Sequence, residues 1–269
     1  MPQLAALLSL VSLVIGSTIG VLIQIQLAAS TQIFANDAVG AHATAQVGGY
    51  LVLMSVGLID WRLLGERSAR TPAANVMIGA LFVSGLTVAG GLLLGLVPLA
   101  ALATPLQILA VVILLVRVGP AALRTPWGAG AARFFSVAVP FLVVNILLTV
   151  YLIVSIVSSG KPFDQIELPF GLIIALDHAI FVGAMTNILF GVITQATEDR
   201  TARWSWADQL VFWGLNVSVA AFIVILIVGA TELQRITAPL MGAAVYLGIA
   251  TYTVRLRAPA VKQVAPAPV

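Results

Sequence analysis

The chain contains two histidines, His42 and His178, and each lies within a long apolar segment. They are about 136 residues apart, which is close to half of the 269-residue length. Imidazole is a common ligand of iron, copper and zinc, and it also relays protons. The spacing predicts a duplicated protein that has one imidazole in each half.

Composition identifies the solvent around these side chains. Hydrophobic residues make up 61% of the chain and charged residues 9%. An ordinary soluble domain is far less apolar, so the chain belongs in a lipid bilayer. Eight apolar stretches are long enough to cross about 30 Å of hydrocarbon as helices. They cover residues 4–29, 36–61, 73–96, 98–117, 134–159, 168–196, 206–230 and 235–255. We therefore predict an all-α integral membrane protein with eight transmembrane helices.

Basic residues divide unequally between the two sides of these spans. If the N-terminus is cytoplasmic, only Lys161 and Arg235 lie on the opposite side. The cytoplasmic side then has Arg62, Arg67, Arg70, Arg117, Arg124, Arg133, Arg200, Arg203, Arg255, Arg257 and Lys262. This is the distribution expected from the positive-inside rule, and it predicts a multi-pass protein of the inner (cytoplasmic) membrane with both termini in the cytoplasm. The basic residues form no cluster with aromatic side chains, so no nucleic-acid partner is expected.

The spans group into two sets of four. We predict one four-helix half over residues 1–130, a second over 131–258, and a disordered Ala-Pro-Val tail over 259–269. Because four is an even number, both halves run in the same direction. A pseudo-twofold axis along the membrane normal would relate them.

The two histidines have similar positions in their spans. His42 lies 20 residues before Arg62, and His178 lies 20 residues before Glu198, or roughly 30 Å along a helix in each case. Two imidazoles at equal depth could face each other between the halves and bind one haem b as axial ligands. The absence of cysteine excludes covalent c-type attachment and thiolate ligation within this chain. A hydrogen bond between helices explains each histidine equally well.

The residues around each histidine bear on this choice. His178 is followed by Gly183 and Gly191, and His42 is followed by Gly49 and Gly57. This frame resembles the histidine-bearing helix of small membrane relatives of haem-copper oxidase subunit I, including nitric-oxide-response haem/copper membrane proteins. Those helices often contain His-Ala-His, a glycine, a Met-rich apolar run and a second glycine eight residues after the first.

Each half of the chain keeps a different one of the two histidines of that motif. His42 fits the first and His178 the second, whereas Thr44 and Leu176 occupy the other two histidine positions. The family's binuclear metal centre and its two haems need about six histidines, so one haem is the most that bis-histidine ligation allows here. Eight spans in two four-helix halves also resemble haem A synthase, which has a histidine pair in each half.

Other residues have two interpretations each. Gly49 and Gly183 either make room for a flat cofactor or allow close helix packing. Arg235 is a candidate partner for haem propionates, or an ordinary interfacial residue. Asp177 is either a proton acceptor or a hydrated residue near the membrane surface.

Three functions remain open at this point. Six-coordinate haem favours electron transfer with a quinol or cytochrome partner, or a role as the haem-bearing subunit of a respiratory complex. The alternative is a proton-coupled small transporter or channel with Asp177 and His178 at its site. A third possibility is a structural subunit whose histidines bind a chlorophyll-type pigment. These residues do not predict an enzyme that acts alone.

Overall fold

A computed structural model of the chain describes residues 2–68, 71–128, 130–161, 169–200 and 204–259. The architecture is all-α, and the prediction of eight helices long and apolar enough to cross a membrane is confirmed. The predicted disordered tail lies outside the described residues, apart from residue 259. The helices are α1 (Pro2–Ala29), α2 (Ala38–Leu64), α3 (Pro72–Leu94), α4 (Val97–Arg124), α5 (Ala132–Ser159), α6 (Phe170–Ala196), α7 (Trp206–Val228) and α8 (Thr231–Arg257).

The connection between α3 and α4 consists of only two residues, 95 and 96. Gly95 ends α3 with a left-handed backbone (φ +67°), which glycine adopts without a side-chain clash. Pro98 then lies in the first turn of α4, where its missing N–H leaves no hydrogen bond unmade. Two short-range signals therefore convert one long apolar run into two antiparallel helices.

Helices α2, α5 and α6 lie at the centre of the bundle. Helix α2 packs against α1 and α3, α6 packs against α5 and α7, and α7 packs closely along α8. Contacts of α4 with α5, and of α2 with α5 and α6, join the first four helices to the last four. Large apolar side chains fill this centre, including Leu53, Phe134, Phe135, Leu142 and Phe212. Helices α1 and α8 are the least buried, so lipid would cover much of their surface.

Helices α2 and α6 share an unusual backbone feature. Each contains a π-helical segment, Ala45–Leu51 in α2 and Ala179–Thr186 in α6, and the two segments contact each other. The segments begin 134 residues apart. His42 and His178 lie within one turn of their first residues. Extra residues inserted into an α-helix in this way are frequent at functional sites.

Glycines within both π segments allow a neighbouring helix to approach closely. A Cβ atom added at Gly49 would lie 2.9 Å from Cβ of Ser12 in α1. A Cβ atom added at Gly183 would lie 2.5 Å from Cγ of Phe141 in α5. The two glycines are 134 residues apart, and the two residues they contact are 129 residues apart.

The same relationship recurs two turns further along. A Cβ atom at Gly57 would lie 2.6 Å from Cβ of Ala5, and one at Gly191 would lie 3.1 Å from Cβ of Phe134. These pairs repeat the offsets of 134 and 129 residues. Helices α1 and α2 therefore pack through the same positions as α5 and α6.

Candidate functional site

His42 projects from α2 towards α1. Its Nδ1 lies 2.8 Å from the backbone carbonyl oxygen of Gly16. A carbonyl oxygen only accepts, so Nδ1 has the proton and donates this hydrogen bond. The ring lies against Gly20, because a Cβ atom added there would be 2.8 Å from Cε1 of His42. In the Nδ1–H tautomer of the ring, Nε2 is the nitrogen that has the free lone pair.

His178 has the same protonation pattern but a different neighbour. Its Nδ1 donates to the backbone carbonyl oxygen of Ile174, one turn earlier in α6, at 2.8 Å. The ring also lies against Phe222 of α7, with the two ring centroids 4.7 Å apart. Nε2 is again left with a free lone pair. Both imidazoles are half-buried.

Equivalent positions of the two helix pairs are crosslinked by hydrogen bonds. In the first pair, the side chain of His42 in α2 donates to the backbone of Gly16 in α1. In the second, the side chain of Asn145 in α5 donates to the backbone carbonyl of Leu176 in α6, at 3.0 Å. Leu176 follows His42 by 134 residues, and Asn145 follows Gly16 by 129. The donor is on the opposite helix in each pair, but the linked positions are the same.

An apolar cavity with a volume of about 450 Å³ lies between α2, α3, α4, α5 and α6. Its walls are mostly aliphatic, and its polar lining residues are Asp37, Thr44, Ser84, Gln107, Asn145, Thr149 and Asp177. It reaches one end of the bundle, which we call the Asp37 end because the exposed Asp37 lies there. Neither histidine is among the described residues that line it.

The opposite end of the bundle is basic, and buried polar contacts join its helices. Asp60, at the end of α2, is fully buried and pairs with Arg117 of α4 and with the hydroxyl of Ser68. Arg255 of α8 pairs with Asp208 of α7 at 3.1 Å. Asp60 is not among the predicted site residues. The sequence feature that could have indicated this contact is an acidic residue near the end of one span, on the same side of the membrane as the basic Arg117 of another span.

The remaining predicted site residues have defined positions. Helix α1 packs against Gly49, and helix α5 packs against Gly183. Both glycines therefore allow close helix packing. Arg235 is exposed near the start of α8, at the Asp37 end. Asp177 lines the cavity, while the adjacent His178 lies against α7, so the two side chains point to different neighbours. In the described residues no group of three or more metal-ligating side chains is present.

Two buried asparagines form a polar contact between α6 and α7. Asn187 of α6 donates to the Oδ1 atom of Asn216 in α7 at 2.8 Å, and its own Oδ1 atom accepts a hydrogen bond from Asn216 at 3.1 Å. This pair joins the two helices.

These features define the class of the molecule: an all-α protein with eight membrane-length helices, an apolar cavity with a few polar lining residues that reaches one end, and two histidines beside π-helical segments. Comparison of the chain with known protein families, curated proteins and solved structures found no match.

Proposed function

We propose that the chain is a duplicated four-helix unit of the inner membrane that binds one haem b through His42 and His178 and transfers electrons. It would do so alone with a quinol or cytochrome partner, or as the haem-bearing subunit of a respiratory complex. We also propose that the chain is related to the small membrane relatives of haem-copper oxidase subunit I. The unequal distribution of basic residues supports a cytoplasmic location for the basic end.

The duplication is supported by paired contacts along α2 and α6. The π segments begin 134 residues apart, and the two glycine contacts and the side-chain crosslink repeat with the same offsets. A chance resemblance between two helix pairs would not reproduce the partner residues on α1 and α5 as well. Residues 1–130 and 131–258 are accordingly proposed as the two repeats.

This offset is the observation on which the haem proposal depends. His42 corresponds to Leu176, and His178 corresponds to Thr44. Both Leu176 and Thr44 line the cavity beside α3, α4 and α5. A twofold axis between the two halves would place the counterpart of that cavity beside α1, α7 and α8. Both histidines therefore occupy positions that would line the counterpart region, one from each half.

A further correspondence identifies that region. Val88 of α3 lines the cavity, and the residue 134 positions later is Phe222, which lies against His178. His178 and Phe222 thus occupy, in the proposed counterpart region, the positions that Thr44 and Val88 have in the cavity. Arg235, near the start of α8, remains the proposed partner for haem propionates.

The hydrogen bonds that both rings donate through Nδ1 suit the binding of iron at Nε2. Iron binds the unprotonated nitrogen of imidazole, and histidine ligands commonly donate their other N–H to a backbone carbonyl or a carboxylate. His42 and His178 both donate Nδ1–H to a carbonyl, which fixes the ring orientation and leaves Nε2 for the metal. When bound, the haem would supply reversible one-electron chemistry. His42 and His178 would hold the iron.

The transporter alternative would require Asp177 and His178 to share a site. Asp177 lines the cavity and His178 lies against α7, so this arrangement is not favoured. The cavity also reaches only the Asp37 end, because the buried Val52 and Leu81 line its inner part.

Absorption spectra of the detergent-purified protein test the haem proposal. We expect a Soret band and sharp reduced α and β bands, and their loss or displacement in His42→Ala and in His178→Ala. His178→Met keeps a possible ligand and should retain a haem with an altered reduction potential. Gln107→Leu, in the cavity away from both histidines, should keep the wild-type spectrum. A folded wild-type protein that stays colourless after haem is supplied would contradict the proposal.

A further inference from the structure

We propose that the cavity between α2, α3, α4, α5 and α6 is a binding site for an amphipathic organic cation, a protonated amine on an apolar body. The site lies away from both histidines, and the inference does not depend on the haem proposal.

The size of the cavity suits a small organic molecule. Its volume of about 450 Å³ lies within the range of ordinary ligand pockets, which are mostly apolar with a few fixed polar groups. Aliphatic side chains such as Val47, Leu81, Ile146, Leu152 and Ile153 form most of its walls. These surfaces favour a ligand whose body is apolar.

Gln107 shows that the cavity also requires a hydrogen-bond donor. Its side chain lines the cavity and the residue is only 6% exposed. Its Oε1 atom has no hydrogen-bond partner among the described residues. An unpaired buried amide oxygen is destabilising, and a ligand that donates to it, once the Gln107 side chain turns towards the cavity, would recover this cost. An acyl chain of a lipid could fill the space but could not make this bond.

A second amide oxygen lies on the cavity wall. Asn145 donates through its Nδ2 atom to Leu176, which leaves Oδ1 without a partner in the part of the chain that the structure describes. The hydroxyl of Thr149 donates to the backbone of Asn145 and so cannot donate to this oxygen as well. Gln107 of α4 and Asn145 of α5 both line the cavity, and each has an amide oxygen without a hydrogen-bond partner among the described residues.

Two carboxylates give the site its charge. Asp177 has no hydrogen-bond or ion-pair partner in the described ranges, and Asp37 uses Oδ1 to accept from the backbone N–H of Gly40 at 2.7 Å. No lysine or arginine is among the described residues that line the cavity. A carboxylate in an apolar region of the membrane is costly without a partner of opposite charge. Asp37 is exposed and caps the first turn of α2. A neutral ligand would leave Asp177 without a partner of opposite charge, whereas an ammonium group would provide one.

The arrangement also gives the direction of entry. Asp37 is exposed at its end of the bundle, and Asp177, near the start of α6, lies towards the same end. Gln107 lies deeper in the bundle, among buried residues of α4. A cation attracted by Asp37 would move along the wall to Asp177, with its apolar body between α3 and α5.

A matched pair of probes tests this inference. 9-(Aminomethyl)anthracene and 9-anthracenemethanol have the same body, and only the first is a cation at neutral pH. Isothermal titration calorimetry of the detergent-purified full chain, with the same titration into protein-free micelles subtracted, gives both affinities. We expect the wild-type protein to bind the amine at least tenfold more tightly than the alcohol. Equal affinities, or no binding of either probe, would overturn the proposal.

Three variants locate the interaction. Asp177→Asn should abolish the preference for the amine, and Gln107→Leu should weaken amine binding several-fold. Glu198→Gln removes an exposed carboxylate from the other end of α6, so its affinities should equal those of the wild type. A tenfold preference that survives in Asp177→Asn would contradict the assignment. His42→Ala should bind the amine normally, so the failure of the haem proposal would not be confused with the failure of this one.

Discussion

Asn187 and Asn216 exchange a pair of side-chain hydrogen bonds between α6 and α7, with donor–acceptor distances of 2.8 and 3.1 Å. Each amide also donates to a carbonyl one turn earlier in its own helix, at Gly183 and Phe212 respectively. The carbonyl of Gly183 belongs to the π segment of α6, where regular hydrogen bonding is interrupted. The asparagine pair therefore stabilises both the helix contact and the π segment.

Replacing one member of this pair should destabilise the protein more than replacing both. Asn187→Leu would leave the Asn216 amide buried without its partner, at a cost of about 1–2 kcal/mol. Asn216→Leu should have a similar effect. The double variant removes both polar groups and should lose less than the sum of the single losses. Thermal unfolding in detergent, followed by circular dichroism, measures the coupling, and simple additivity would contradict it.

The ion pair between Asp60 and Arg117 should be important for the basic end of the bundle. Asp60 is fully buried, and the side chain of Arg117 is 13% exposed. Asp60→Leu alone would leave a largely buried guanidinium without this carboxylate, at a cost of about 3–5 kcal/mol. Asp60→Leu together with Arg117→Leu should be closer to wild type.

Ser68→Ala separates the two contacts of Asp60. It removes only the hydroxyl that donates to the carboxylate, so we expect a loss of about 1 kcal/mol. Denaturation in sodium dodecyl sulfate compares the three variants. A double variant less stable than Asp60→Leu would indicate that the arginine has other important contacts.

A third prediction concerns the close packing at Gly183. The added methyl group of Gly183→Ala would overlap Phe141, and overpacking of this kind costs about 1–3 kcal/mol. Gly79→Ala is the matched control, because no atom lies within 4 Å of its added Cβ. The melting temperature should fall for Gly183→Ala and stay level or rise for Gly79→Ala. An equal change in both would show that the close approach of α5 is unimportant.

The orientation in the membrane can be measured without background labelling, because the sequence contains no cysteine. Ser159 and Glu198 are exposed at opposite ends of the bundle. With the basic end in the cytoplasm, Ser159→Cys should react with a membrane-impermeant maleimide in intact cells. Glu198→Cys should react only after the membrane is opened. The reverse pattern would contradict the orientation that the basic residues predict.

Local signals in the sequence were sufficient for the helices. The eight predicted spans agree with the observed helices to within a few residues at most ends, because length and apolarity alone decide what can cross a bilayer. The larger error is at the end of α4, predicted at residue 117 and observed at Arg124. Arg117, Gly119 and Pro120 interrupt the apolar pattern there, but they do not stop the helix.

The candidate site was less predictable. His42 and His178 were chosen because they are rare and equally deep, and no pattern in the sequence shows which neighbour each ring contacts. Gln107 and Asp177 lie in different spans, and the sequence could not show that the two line one cavity. Gly49 and Gly183 had two interpretations that depend on atoms from other helices.

The sequence by itself determined the class of fold, because transfer of apolar residues from water to lipid depends on composition and length. It also indicated the repeat, since matching glycines and histidines recur at a nearly constant spacing. The direction in which each side chain points was decided only by the tertiary structure. A helical residue faces a cavity, lipid or another helix according to the packing of helices distant in sequence, and the π segments change the rotation of α2 and α6 beside both histidines.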